Sequence, residues 1–308
     1  MVDSNSWLPK RLRTELSDLL SLVLLPGLAA VLPWRWCFAL FKRMAAWSFL
    51  YREPCEQALR EARRRGWGGE NEAHWLWSRR LVTLVDHADH YLGLFRSDDW
   101  MRQHLAVSGA WPTERQAVML LTFHWGAGFW GLRHAAAHGL APHALMASLD
   151  TQAYAGRTVL RWYARSRNAH VRRILQAPTI DVTQDLKSVV RALRAQEPLL
   201  GVMDVPADEA KTSLTVNLLG MKARFPRGLL RLAVDQSVPV VVYATGLDTR
   251  TGQRFLRITR LGVPTSVDDL GTEVFGALER LIAEDAPAWH FWGIAERVFV
   301  PPDVICAP

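Results

Sequence analysis

The sequence predicts an α/β protein, a mainly parallel sheet flanked by helices, preceded by a hydrophobic helical N-terminal region. Three observations lead there. From residue 116 onward, short apolar runs alternate with segments of helical periodicity. Turn residues separate them, as in Trp125-Gly-Ala-Gly128 and Asp248 to Gly252. Before that, one long apolar stretch with basic flanks dominates the first 50 residues. The chain of 308 residues can bury a large core as one large domain or two small ones. The expected division is 1–50, a membrane-associating segment; 51–115, helical; and 116–300, the α/β part.

The elements follow in order. Lys10, Arg11 and Arg13 precede Leu19 to Pro33, and Trp34, Trp36, Phe38, Phe41, Lys42 and Arg43 follow. The apolar part is about 15 residues, short of the roughly 20 that a spanning helix needs. Pro26-Gly27 is expected to interrupt it. An in-plane or re-entrant anchor on an anionic membrane surface is the expectation, with a buried helical hairpin as the alternative. Glu56 to Arg65 and Glu70 to Phe95 read as helices. Strand 116–123 leads into helix 126–138, and Pro142 to Leu149 is a strand closing at Asp150. Residues 151–167 read as a helix, His170 to Leu175 as a strand and Gln184 to Gln196 as a helix. Pro198 to Asp204 is a strand and Leu214 to Phe225 a hairpin-like excursion. Arg227 to Gln236 is a helix, Val238 to Ala244 and Phe255 to Arg260 are strands, and Val267 to Glu284 is the last long helix. No internal repeat or low-complexity tract is present.

Composition narrows the partners. A formal charge of +7 points to an anionic one. No nucleic-acid-binding motif accompanies it, so nucleic acid is not expected. Fourteen tryptophans suit a core or a membrane interface. Cys37, Cys55 and Cys306 are unpatterned, which fits a reducing compartment and no disulfide framework. His74, Asp86, His87, Asp89 and His90 lack a metal-ligand pattern and read as a solvated helix face. There is no P-loop, no Gly-x-Gly-x-x-Gly, no nucleophile elbow and no zinc spacing, so neither cofactor nor metal is expected.

The residue best placed for chemistry is His124. It closes the run Ala117 to Phe123, at the mouth of the next helix. A strand's carboxyl end is where α/β folds put a general base. Gly126 and Gly128 are expected to let substrate approach the backbone, and the amides of 125–128 to hold an oxyanion. The alternative is a core histidine bonded to a carbonyl. Arg157, Arg161 and Arg165 stand four apart on one helix face, with Arg167, Arg172 and Arg173 beyond, and no Asp or Glu occurs from 151 to 180. Such a face binds phosphate, on a phosphopantetheine arm, an acidic carrier or a lipid headgroup, or is simply solvated. Trp162 and Tyr163 read as helix-packing residues.

His124-Trp-Gly-Ala-Gly128 after an apolar strand resembles the first block of the lysophospholipid acyltransferase superfamily, in its bacterial lipid A branch. Pro198-Leu-Leu-Gly-Val-Met-Asp204 resembles the strand that ends in a family Asp. Leu218 to Gly228 and Leu232 to Val242 resemble the blocks that follow, and Trp289-His-Phe-Trp292 sits where the branch has a Trp-rich motif. The likeness covers about residues 10–300 as an ordered series. It implies transfer of an acyl chain from acyl carrier protein or acyl-CoA to a hydroxyl or amine of a lipid acceptor. It also implies a place at the cytoplasmic face of a bacterial inner membrane, and a substrate-binding segment at Gly220, Lys222 and Arg224. One departure matters. The family pattern is His-x4-Asp/Glu, and here Phe129 holds the acid position. Asp204 and Asp150, each ending a strand expected beside that of His124, are the substitutes, Asp204 first; Glu209 lies on a more flexible loop. The competing reading is a catalytically lapsed relative, an acyl-chain or carrier-binding subunit of a lipid or aryl polyene biosynthetic complex.

Overall fold

The computed structural model describes residues 9–114, 116–146, 154–182, 185–209 and 212–301. It begins with α1 (Lys10–Asp18), a π-helical stretch (Leu19–Leu24) and α2 (Leu25–Val31). These form one continuous helix, so Pro26-Gly27 does not interrupt the apolar run. Proline has no N–H and its ring crowds the carbonyl one turn back; the widened π turn just before Pro26 accommodates both. The helix is long and apolar enough by composition to be a membrane anchor. It ends at Leu32, which is extended because Pro33 follows. One stripe, Asp18, Leu22, Leu25 and Ala29, is buried, while Leu16, Leu24 and Val31 are exposed.

Next come α3 (Trp34–Met44), α4 (Arg52–Arg64), α5 (Glu72–Phe95) and α6 (Asp98–Gln103). Asn71 and Ser97 cap α5 and α6 by accepting from His74 N and Trp100 N. A strand, β1 (Leu105–Ser108), then falls inside the stretch read as helical. The solvated-face reading of α5 is also corrected: Asp86, Asp89 and His90 are buried. Among the described residues no group of three or more metal-type ligands forms there. Arg167 holds Asp86 with two bonds of 2.8 Å, Arg254 grips Asp89, and His90 meets Ser166 at 3.1 Å. Charge on a helix turns inward when partners from later elements satisfy it.

The rest alternates: β2 (Met119–Thr122), α7 (Phe129–Ala137), β3 (His143–Met146), α8 (Thr158–Leu175), β4 (Ile180–Asp181), α9 (Leu186–Arg194) and β5 (Leu199–Val202). A hairpin, β6 (Ser213–Leu218) and β7 (Met221–Pro226), precedes α10 (Gly228–Asp235), β8 (Val240–Leu247), β9 (Arg254–Gly262) and α11 (Val267–Glu284). Two 3₁₀ turns, Ala286–Ala288 and His290–Arg297, close the described chain. The strand expected at His170 to Leu175 is the last turn of α8: Val171, Ile174 and Leu175 are spaced for one helix face. The helix expected over 151–167 begins at Thr158.

The seven-stranded sheet runs β1-β9-β8-β2-β5-β3-β4. All pairs are parallel except β8–β9, joined by the tight turn at Asp248 to Gly252. One buried cluster reaches from Leu25 to Phe299, so the N-terminal helices pack on the same core as the sheet.

Candidate active site

β2 and β5 are neighbours at the centre of the sheet, paired Met119↔Leu199 through Thr122↔Val202. Continuing that register past the strand ends sets position 124 against position 204. His124 and Asp204 therefore meet at the carboxyl edge, where α/β sheets place ligands. His124 Nδ1 lies 2.9 Å from Asp204 Oδ1. The His124 backbone N–H also donates to both carboxylate oxygens, at 3.0 Å each. Since the carboxylate accepts, the proton sits on Nδ1 and Nε2 keeps its lone pair. Asp204 has no solvent exposure, whereas the His124 side chain is 39% exposed. One partner is a buried anchor and the other reaches the surface.

The segment after α11 completes the arrangement. Trp289 Nε1 donates to Asp204 Oδ2 at 2.8 Å. Phe291 stacks on the His124 ring, 4.1 Å between centroids and 20° between planes. His290 N donates to the His124 carbonyl at 2.8 Å, and its ring Nε2 contacts the Gly126 carbonyl at 2.8 Å. Burial pushes the His290 pKa down to about 4, with Arg79 adding to the effect. The ring is therefore neutral near pH 7, and its Nε2–H is the donor. Arg79, buried on α5, holds this segment by donating to the carbonyls of Pro287, Trp289 and His290. The sequence singled out Trp289 to Trp292 as a motif but gave its side chains no role, and nothing marked Arg79.

The glycine turn works differently from expectation. Gly126 is left-handed at φ +69°, and a Cβ there would lie 2.2 Å from the Thr245 carbonyl oxygen. Its missing side chain makes room for β8, not for a substrate. Gly126 N donates to Ala288 O at 3.0 Å and Ala127 N to Thr245 O at 2.9 Å. Neither amide can serve an oxyanion without breaking that bond. Gly128 caps α7, and a Cβ on it would meet open space. Phe129 is buried, tilted on His170 at 4.8 Å and under the Arg167 guanidinium at 5.1 Å. The position that the resemblance assigns to an acid is filled by a packing residue.

The arginine face divides. Arg157 binds the buried Asp18, with Nε 2.9 Å from Oδ2 and Nη2 2.5 Å from Oδ1, so that carboxylate already holds two of its guanidinium nitrogens. The Glu15 carboxylate accepts from Thr158 N and Val159 N at the start of α8, and these bonds hold its pKa below the usual range. Arg161 and Arg165 are exposed, and so, against expectation, is Trp162 (53%), while Tyr163 is buried. Gly220, with Leu219 also left-handed, forms the β6–β7 turn. Lys222 and Arg224 are exposed on β7, with Arg224 Nη2 donating to Ser213 Oγ at 2.9 Å. This hairpin packs on α11 and on the 3₁₀ turn Ala207–Glu209 that follows Asp204. Asp150 and the Glu209 side chain lie outside the described residues. Cys37 and Cys55 are buried free thiols.

No protein-family model matches the chain, and no curated protein is detectably similar to it.

Proposed function

We propose that the protein is an acyltransferase that moves an acyl chain from a thioester donor, acyl carrier protein or acyl-CoA, to a hydroxyl or amine of a lipid acceptor at a membrane. The observation that carries this reading is the His124–Asp204 pair on the carboxyl edge of the central strands. The resemblance of the ordered blocks supplies the substrate class. His124 Nε2 takes the proton from the acceptor as its oxygen or nitrogen attacks the thioester carbonyl. The tetrahedral intermediate expels the thiolate, which regains a proton from Nε2. Asp204 fixes the tautomer and stabilises the imidazolium, the task Phe129 cannot perform. With Gly126 and Ala127 engaged, the donors left for the oxyanion are those of the first turn of α7, whose N-terminus opens toward negative charge. Arg161, Arg165, Lys222 and Arg224 are the exposed cations offered to phosphate on donor or acceptor.

The membrane reading is in-plane rather than spanning. Glu15, Asp18 and the carbonyls of Ser21, Leu22 and Ala29 are all bound by side chains or amides of the folded body. A helix tied along its length has its outer stripe left for lipid.

Transfer from an acyl thioester to total lipid extract, followed by mass spectrometry, tests the activity. His124→Ala should abolish product, and Asp204→Asn should lower kcat by about 10⁴-fold. Undiminished turnover in His124→Ala would reject the assignment. The engaged amides at Gly126 and Ala127 favour one rival, a lapsed relative that binds carrier or acyl chain. Carrier binding without thioester consumption is its signature.

A further inference from the structure

A carboxylate offers two equivalent oxygens, but those of Asp204 are distinguished by their partners. Oδ1 faces His124 Nδ1 and Oδ2 faces Trp289 Nε1, at 2.9 and 2.8 Å. The two N–H groups are themselves held differently. Trp289 is wholly buried, packs edge-on against Trp292 at 4.9 Å and 79°, and has its carbonyl gripped by Arg79 at 2.8 Å. His124 is the exposed partner, steadied on one face by Phe291. The indole is thus the fixed point, and the carboxylate turns to meet it.

We infer that Trp289 is a positioning residue that orients Asp204, the group that sets the tautomer of His124. By occupying Oδ2 it aims Oδ1 at Nδ1, so that Nε2 is the one basic nitrogen at the surface. The ring of Phe291 sets the plane in which that nitrogen points. Only the kinetic consequence rests on the acyltransferase reading; the tautomer does not.

The test is a mutant cycle read by ¹⁵N NMR of histidine-labelled full-length protein, where the two ring nitrogens report which one carries hydrogen. Assignment uses His124→Gln. Wild type should show His124 protonated at Nδ1. In Asp204→Asn the indole N–H takes the amide oxygen, which turns the amide NH₂ toward His124. An NH₂ group donates, so Nδ1 must accept and the tautomer should flip to Nε2–H. In the double variant Asp204→Asn, Trp289→Phe the indole no longer claims the oxygen, and the His124 backbone N–H, equidistant from both ends of the group, lets that oxygen swing to Nδ1, so the Nδ1–H form should largely return. Trp289→Phe alone still leaves a carboxylate facing Nδ1, so the Nδ1–H tautomer should persist while kcat falls about tenfold with KM unchanged, a loss of alignment rather than of binding. An unflipped Asp204→Asn, or a double variant that stays flipped, overturns the inference. The Asp204→Asn arm keeps the indole and decides even if Trp289→Phe does not fold. A complete tautomer cycle in a protein that transfers no acyl group would overturn the proposed function and leave Trp289 its role.

Discussion

Arg254 shows what a single buried residue must satisfy. Its guanidinium lies between the rings of Trp34 and Trp130, 4.0 and 4.3 Å from their centroids, and grips Asp89; neither charged side chain has any exposure. Stacking faces and a two-pronged acceptor suit a planar guanidinium and not an ammonium. Removing one partner strands the other charge in the core. Arg254→Met should therefore destabilise the fold by about 3–5 kcal/mol, and Asp89→Leu in addition should recover more than half of that, both read from urea unfolding. Equal midpoints for Arg254→Met and wild type would contradict this. Sequence reading had little chance here: the arginine and its carboxylate are 165 residues apart. The same holds for Arg157 and Arg167. No acid occurs between 151 and 180, yet Asp18 reaches Arg157 and Asp86 reaches Arg167. By contrast His124 was legible, because a strongly apolar run stops at it and a glycine turn follows. Asp204 was legible for the matching reason, as the end of another such run.

Among the elements, the N-terminal helix pair carries the membrane question. Val31, Trp36 and Phe95 are 75, 74 and 66% exposed. Leu32, Arg35, Trp36, Leu40 and Arg43 border one depression, and Arg96 joins Phe95's end of α5 to the Leu32 carbonyl at 3.1 Å. Apolar rings beside arginines match acyl chains beside anionic headgroups. Flotation with vesicles containing anionic lipid should recover the protein at low salt. Because each buried apolar side chain is worth about 1.5–3 kcal/mol, Trp36→Glu and Phe95→Glu should each lower the bound fraction about tenfold or more. Equal flotation of both variants with wild type would place the lipid contact elsewhere. The sequence showed this region as apolar and basic but missed the unbroken helix, because a π turn ahead of a proline leaves no compositional mark. It also misread the end of α8, where Val171, Ile174 and Leu175 satisfy a short strand as readily as a helix face.

Across the whole molecule, neutral histidines sit in the core. Burial pushes His87 down to about 3 and His90 and His170 to about 4. Arg167, beside Asp86, adds to the effect on each of them. His90 and His170 face each other at 3.2 Å between Nδ1 atoms and are 1 and 4% exposed. The unfolded chain takes up these protons near pH 6.5 and the folded one does not. Stability is therefore full above 6.5 and falls as pH drops below it. For these two enclosed rings the loss at pH 5 is on the order of 4 kcal/mol as an upper limit. The urea midpoint should drop between pH 7 and pH 5, and less so in His170→Asn; a flat profile would show that the rings are reached by water. The fold class was readable from strand–helix alternation, since each run carries its own periodicity. Strand order and register were not, because pairing is a property of the assembled sheet. The geometry of the candidate site depends on that pairing, so position 204 could be named in advance but its distance to His124 could not.

The offset of 80 residues between the members of the pair has a consequence at the ribosome. A synthesised chain exposes His124 long before residue 204 exists, and Trp289 follows 85 residues after that. Joining β2 to β5 means closing a long loop, with five other elements of the α/β part in between. Until then the imidazole has neither its carboxylate nor the indole behind it. Whatever chemistry it performs begins only once the chain has been made past Trp289 and the central sheet has closed.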